Sequence, residues 1–230
     1  MTTTAITFED AMAQLRGAIE PGRAEAMTRY HKQTREVLGV GNDVLNGFAK
    51  DWRKDLDVSE RVTLALALWS SDIFEARILA AKLLTQARIK DDLVVWDLLQ
   101  SWVPEFDSWA IADHACTAIS KRLVAQPARL DVVEIWTSAD HMWTRRAALV
   151  ATLPWAKLPN PKTVDEATRD RILGWAANYV EDRDWFIQKA IGWWLRDLSK
   201  HAPDRTRSFL EGPGATLKAF ARKEASKYLA

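Results

Sequence analysis

Apolar residues recur along this chain with the period of an α-helix, and the pattern is plain between Trp185 and Lys200. There Ile187, Ala190, Ile191, Trp194, Leu195 and Leu198 follow the i, i+3, i+4, i+7 spacing of a core-facing helix. The other side carries Trp185, Lys189, Trp193, Arg196 and Lys200. Packing accounts for Trp194, while Trp193 lies among cations on a face the core does not need. Such a face suits an anionic, ring-bearing polymer such as nucleic acid. Packing of Trp193 on the next helix is the plainer alternative.

The same periodicity predicts helices over 9–19, 23–37, 43–54 and 59–69, the last with Ser59 as N-cap. Pro21-Gly22 and Leu38-Gly39-Val40-Gly41 separate the first three. At the far end, helices over 204–210 and 216–229 flank a Gly212-Pro213-Gly214 turn, and the last presents Lys218, Arg222, Lys223 and Lys227. Alternating β-branched runs and Asn-Gly hairpin turns are absent, so no strand is expected.

A weak repeat runs through the middle. Phe74, Trp109, Trp143 and Phe186 each follow an acidic residue and precede an ionisable group by three or four positions, at intervals of 35, 34 and 43 residues. The long interval holds the proline-rich stretch 154–161, which reads as an inserted loop. A period near 35 built of two helices is the mark of an α-solenoid. The expected fold is therefore all-α, a single domain of HEAT-like helical repeats over residues 1–230, with a concave basic and aromatic face.

Composition narrows the functions. With 48% hydrophobic and 27% charged residues the chain is an ordered globular protein. Its net charge of +1 requires any nucleic-acid surface to come from segregated charge. The only cysteine, Cys116, excludes an internal disulfide framework, fits a reducing cytoplasm and reads as a small packing residue. Residues 1–10 have neither a basic n-region nor an apolar h-region, so no signal peptide is expected, and no run approaches a membrane span. His31, His114, His141 and His201 lack metal-ligand spacing, and no phosphate-binding glycine loop is present.

Two places could carry chemistry. Trp109 and Asp113 stand one turn apart, off the face formed by Ile111, Ala115 and Ala118. A carboxylate beside an indole is partly desolvated, which suits a base, an electrostatic stabiliser or an ion-pair partner. His114 points about 100° away and is a poor partner for Asp113. Arg146 sits among Met142, Leu149, Val150 and Leu153, where a guanidinium calls for a carboxylate or a phosphate. Either an Asp–Arg ladder between repeats or a phosphate contact satisfies it, with Arg145 beside it as surface charge. Arg77 fits the ladder better.

With these residues in hand, the chain resembles the AlkD-like DNA alkylation repair family, HEAT-like-repeat glycosylases acting on alkylated purines. The resemblance runs from about Ala26 to Tyr228. It is carried by Met27-Thr-Arg-Tyr30 with Val37-Leu-Gly-Val40, Trp109-x-x-x-Asp113, Trp143-Thr-Arg-Arg146, Phe186-Ile-Gln-Lys-Ala-Ile-Gly-Trp193 and Arg222-Lys-Glu-Ala225. It implies Asp113 as catalytic carboxylate, flanked by Trp109 and Trp193, with Arg146 as the functional arginine and Tyr30 at the DNA surface. Arg145, Lys189, Arg196, Lys200, Arg222 and Lys223 would hold phosphates. Double-stranded DNA with N3- or N7-alkylated purines is the implied partner, and no metal, cofactor or membrane is implied. A monomer suits an open concave surface. Two other readings stay open, a non-catalytic binder of damaged or branched DNA and a protein–protein scaffold.

Overall fold

A computed structural model describes residues 6–229; the first residues, where no signal peptide is expected, lie partly outside it. Among the described residues every regular element is helical, and no helix is long and apolar enough to cross a membrane. The chain divides into two compact units, the first ending at Ala125 and the second beginning at Gln126.

The first unit contains α1 (Phe8–Gly17), α2 (Arg23–His31), α3 (Asn42–Asp55), α4 (Val58–Ser70), α5 (Phe74–Leu84), α6 (Leu93–Ser101) and α7 (Trp109–Ala125). α5 is its hub, packing on α3, α4 and α7. Trp69 and Trp102 stack inside it with ring centroids 4.1 Å apart, and Trp69 Nε1 donates to Glu105 (2.8 Å). Arg122, fully buried, donates to Asp92 (2.7 Å) and to the carbonyl of Ala87 (3.0 Å), which ties α7 to the loop before α6. The Arg77 guanidinium pairs with Asp72 (3.1 Å) in the turn before its own helix and with Glu105 (3.5 Å), and lies over the Trp69 ring.

The second unit contains α8 (Leu130–Trp136), α9 (Met142–Ala151), α10 (Leu153–Ala156), α11 (Thr163–Asn178), α12 (Trp185–Ser199), α13 (Pro203–Glu211) and α14 (Ala219–Ala225). Its hub is α12, packed against α9, α10, α13 and α14. The predicted stripe Ile187, Ala190, Ile191, Trp194, Leu195 and Leu198 is buried throughout. Gly192 lets α14 close in, since a Cβ there would stand 3.1 Å from the Ala221 carbonyl.

The repeat seen in the sequence is real. Phe74, Trp109, Trp143 and Phe186 all lie in the first turn of a helix, and α5 packs on α7 as α9 packs on α12. Four local expectations need correction. The second helix stops at His31 instead of residue 37, closed by Lys32 in left-handed backbone. Lys32 and Gln33 turn their N–H groups back onto the Arg29 and Thr28 carbonyls (3.3 and 3.0 Å), and further on the backbone N–H groups of Leu38, Gly39 and Val40 are drawn onto the buried carboxylate of Glu75. Asp57, not Ser59, caps α4, forming a reciprocal pair with Glu60 (2.9 and 2.8 Å). The stretch 154–161 is not all loop. Pro154 sits in the first turn of α10, where its missing N–H costs nothing, and Trp155 and Ala156 are core. The last helix is shorter than 216–229 because the buried Gln188 side chain captures the Lys218 N–H (2.9 Å) and holds that residue extended.

Gly39 has a φ of +87°, and a Cβ there would lie 2.7 Å from the Ala24 backbone nitrogen at the start of α2. Gly39→Ala is expected to destabilise the protein by about 2 kcal/mol or more, from left-handed strain and the clash together. Urea unfolding of the variant checks this; stability within error of wild type would show that α2 can shift freely.

Candidate functional site

The twelve tryptophans divide in a way the sequence does not reveal. Trp52, Trp69, Trp96, Trp102, Trp136, Trp155, Trp175 and Trp194 are core residues. The remaining four, Trp109, Trp143, Trp185 and Trp193, reach the surface, and each stands in one of two aromatic clusters.

In the first unit, a cleft of about 270 Å³ is lined by Met27, His31, Phe74, Trp109, Asp113 and His114 among others. The His31 ring is sandwiched 4.8 Å from both Phe74 and Trp109, and Tyr30 meets the Trp109 ring edge-on at 5.8 Å. Tyr30 is 71% exposed. α7 presents Trp109 and Asp113 half-exposed on one side, while Ile111, Ala115 and Ala118 bury the other. Burial lowers the His31 pKa, which favours its neutral ring. The cleft thus sets the Asp113 carboxylate beside the Trp109 indole, whose ring Tyr30 meets from outside the lining. His31 and Phe74 are additions. The only sequence signal for His31 is its adjacency to Tyr30.

His114, on the other flank of Asp113, is held well below the ordinary histidine range, at about 4, first by burial and second by the nearby Lys82 cation. A pKa depressed in the folded state makes the unfolded chain the better proton acceptor. Stability is therefore full above pH 6.5 and falls as pH drops towards 4, levelling off below that. The difference amounts to about 3 kcal/mol. His114→Gln is expected to flatten the pH dependence of unfolding in this window. Parallel curves for variant and wild type would remove His114 from the balance.

In the second unit, Arg146 is 1% exposed and lies beneath three rings, its guanidinium carbon 5.6 Å from Trp143, 5.9 Å from Phe186 and 5.6 Å from Trp193. Trp143 and Phe186 touch each other at 4.6 Å. Trp185 stacks on Phe220, and Lys189 Nζ rests 5.0 Å from the Trp185 ring and 5.4 Å from that of Trp193. Asp184 caps α12 through the Phe186 N–H (2.7 Å), fixing the turn that carries these rings. The result is a basic aromatic surface with one buried and one accessible cation.

The remaining basic residues separate into two groups. Arg145 is committed to Asp182 (2.9 Å) and to the carbonyls of Ala139 and Asp140. Arg196 pairs with Asp197 and Glu224, and Arg222 donates to the carbonyls of Leu210 and Gly214. These three hold the frame together. Lys200, 4.4 Å from the Tyr228 ring, and Lys223 are exposed.

A protein-family model described as DNA alkylation repair enzyme matches residues 11–229. Among solved structures, the chain is similar to a predicted DNA alkylation repair enzyme from Enterococcus faecalis, at 23% identity and a TM-score of 0.77, over 92% of this chain and 97% of that one. It is also similar to AlkD2 from Streptococcus mutans, at 20% identity and a TM-score of 0.65, over 96% and 99%. At these identities the likeness establishes the shared all-helical fold. No curated protein matches the sequence.

Proposed function

Because the chain belongs to the DNA alkylation repair enzyme family, we propose that it is a DNA glycosylase releasing purines alkylated at N3 or N7. The observation that carries this reading is the first-unit cleft, where the Asp113 carboxylate is set beside the rings of Trp109 and His31. Alkylation at these nitrogens makes the purine a cationic leaving group. As it departs, positive charge develops on the deoxyribose. A fixed carboxylate in a partly dry, ring-lined cleft stabilises that charge and orients the attacking water. The Trp109 face favours the same developing cation. His31, neutral and pinned between Phe74 and Trp109, positions the indole.

In the second unit, Trp193 and Trp185 offer ring faces to sugar and base, and Lys189 supplies a phosphate contact. Arg146, nearly buried, serves to order Trp143, Phe186 and Trp193. Lys200 and Lys223 add exposed charge, and Tyr30 meets the DNA backbone. The partner is duplex DNA containing the alkylated base.

The test is release of free base from duplex DNA methylated at purine N7 and N3. Methylated purine liberated by the purified protein supports the reading. DNA binding without release would favour a non-catalytic DNA-binding member, and neither would favour a protein scaffold.

A further inference from the structure

Beside the Asp113 cleft, α3, α5 and α7 enclose a second and larger one, of about 390 Å³. We propose that it seats one phosphodiester of the DNA strand whose sugar lies at Asp113, an inference that rests on the glycosylase reading above.

Three cations, Lys50, Arg53 and Lys82, line this cleft, and no aspartate or glutamate is among its described lining residues. Their partners inside it are neutral. Lys82 Nζ donates to Asn46 Oδ1 (2.6 Å), leaving the charge itself uncompensated by a carboxylate there. Arg53 Nη1 donates to the carbonyls of Lys82 (3.2 Å) and Thr85 (2.7 Å) at the end of α5, which fixes the guanidinium without neutralising it. Burial, and then repulsion from Arg53, lowers the Lys82 pKa. A second guanidinium, Arg61, donates to the Arg53 carbonyl (2.9 Å) and adds to the field. Two other half-buried guanidinium groups do meet acids, Arg77 with Asp72 and Arg145 with Asp182. Positive charges gathered and fixed without an acid lower in energy when an anion arrives.

Placement identifies the anion. His114 lines both clefts and follows Asp113 directly on α7, so the cationic cleft borders the carboxylate from the adjoining face of one helix. A sugar held at Asp113 carries its phosphate towards that border. His114, neutral here, offers a ring N–H donor where a second carboxylate or a cation would disturb Asp113. The seat adds an anchor beside the carboxylate: the phosphate is held by Lys82 and Lys50 while the sugar lies at Asp113.

The experiment measures duplex affinity against salt for wild type, Lys82→Gln, Lys82→Arg and the double variant Lys50→Gln/Lys82→Gln. The duplex carries a single N7-methylguanine, and a matched series has one uncharged methylphosphonate linkage at successive positions. Loss of the Lys82 contact is expected to lower the slope of log K against log salt by about 0.9, with Lys82→Arg restoring it. One linkage position should weaken wild type and leave Lys82→Gln unaffected, because the charge pair is already gone. An unchanged slope in the double variant, with wild type still releasing base, overturns the seat and spares the glycosylase reading. A lowered slope and a matching linkage, with no base released, keeps the seat and sinks that reading. Competition by millimolar inorganic phosphate with no effect of the variants on DNA binding would assign the cleft to a free anion and overturn the proposal.

Discussion

Asparagine at position 113 is expected to leave DNA binding and folding intact and to reduce single-turnover release of methylated purine by about 10²- to 10³-fold. The substitution keeps size and hydrogen-bonding capacity but removes the charge that opposes the developing sugar cation. Asp113 is half-exposed on α7, opposite the face that buries Ile111 and Ala115, so the helix retains its packing. Loss of a negative charge beside a polyanion should tighten duplex binding slightly, the opposite sign to any general damage. Asp113→Ala should match Asn in rate, since neither carries charge. If Asp113→Asn released base at the wild-type rate, the carboxylate would have no part in the chemistry, and the first-unit cleft would lose its role.

Removal of the Glu75 carboxylate is expected to be the most destabilising single change outside the hydrophobic core. Glu75 is fully buried and accepts the backbone N–H groups of Leu38 (2.9 Å), Gly39 (2.7 Å) and Val40 (3.2 Å). The neighbouring Phe74 N–H closes the same junction by donating to the Glu36 carbonyl (3.0 Å). Glu75→Ala strands three donors in a dry site, each worth about 1–3 kcal/mol when unsatisfied, and the effects overlap. A loss of about 3–5 kcal/mol follows, which for a chain of this size lowers the melting temperature by roughly 10 °C. Glu75→Gln keeps one acceptor but turns an amide towards N–H groups, so it should fall between. The damage should also reach the candidate site, because Gly39 packs against the first turn of α2, and α2 carries Tyr30 and His31 onto Trp109. Thermal melts of both variants decide it. Wild-type stability in Glu75→Ala would mean that the 38–40 segment finds other acceptors.

The buried guanidinium groups teach the same lesson about reading a chain. Arg77 and Arg146 look alike in sequence, each an arginine within an apolar helical face. In the fold, the Arg77 guanidinium pairs with Asp72 and lies over the Trp69 ring, and that of Arg146 lies against Trp143, Phe186 and Trp193. Periodicity places a side chain on a face of its own helix but says nothing of what the neighbouring helix brings to that face. For this reason Arg145, Arg196 and Arg222, all expected to hold phosphates, are found tied to acids and carbonyls of adjacent segments. Their partners are 37, 28 and 8 or 12 residues away along the chain.

The sequence by itself determined the helical class, the repeat that starts α5, α7, α9 and α12 with an aromatic, the buried stripe of α12, and the pairing of Trp109 with Asp113. All of these depend on contacts within one helix, whose 3.6-residue period is written directly into the order of residues. Tertiary structure alone decided which four tryptophans stay at the surface, where α2 stops and α14 begins, and that His31 completes the Trp109 cleft. It alone gathered Lys50, Arg53 and Lys82 around one cavity from two helices. Those outcomes depend on long-range competition for backbone donors and for burial: Glu75 takes three N–H groups just past a predicted helix, and Gln188 takes one from within another. A local pattern cannot register a competitor that folding brings in from 30 or more residues away.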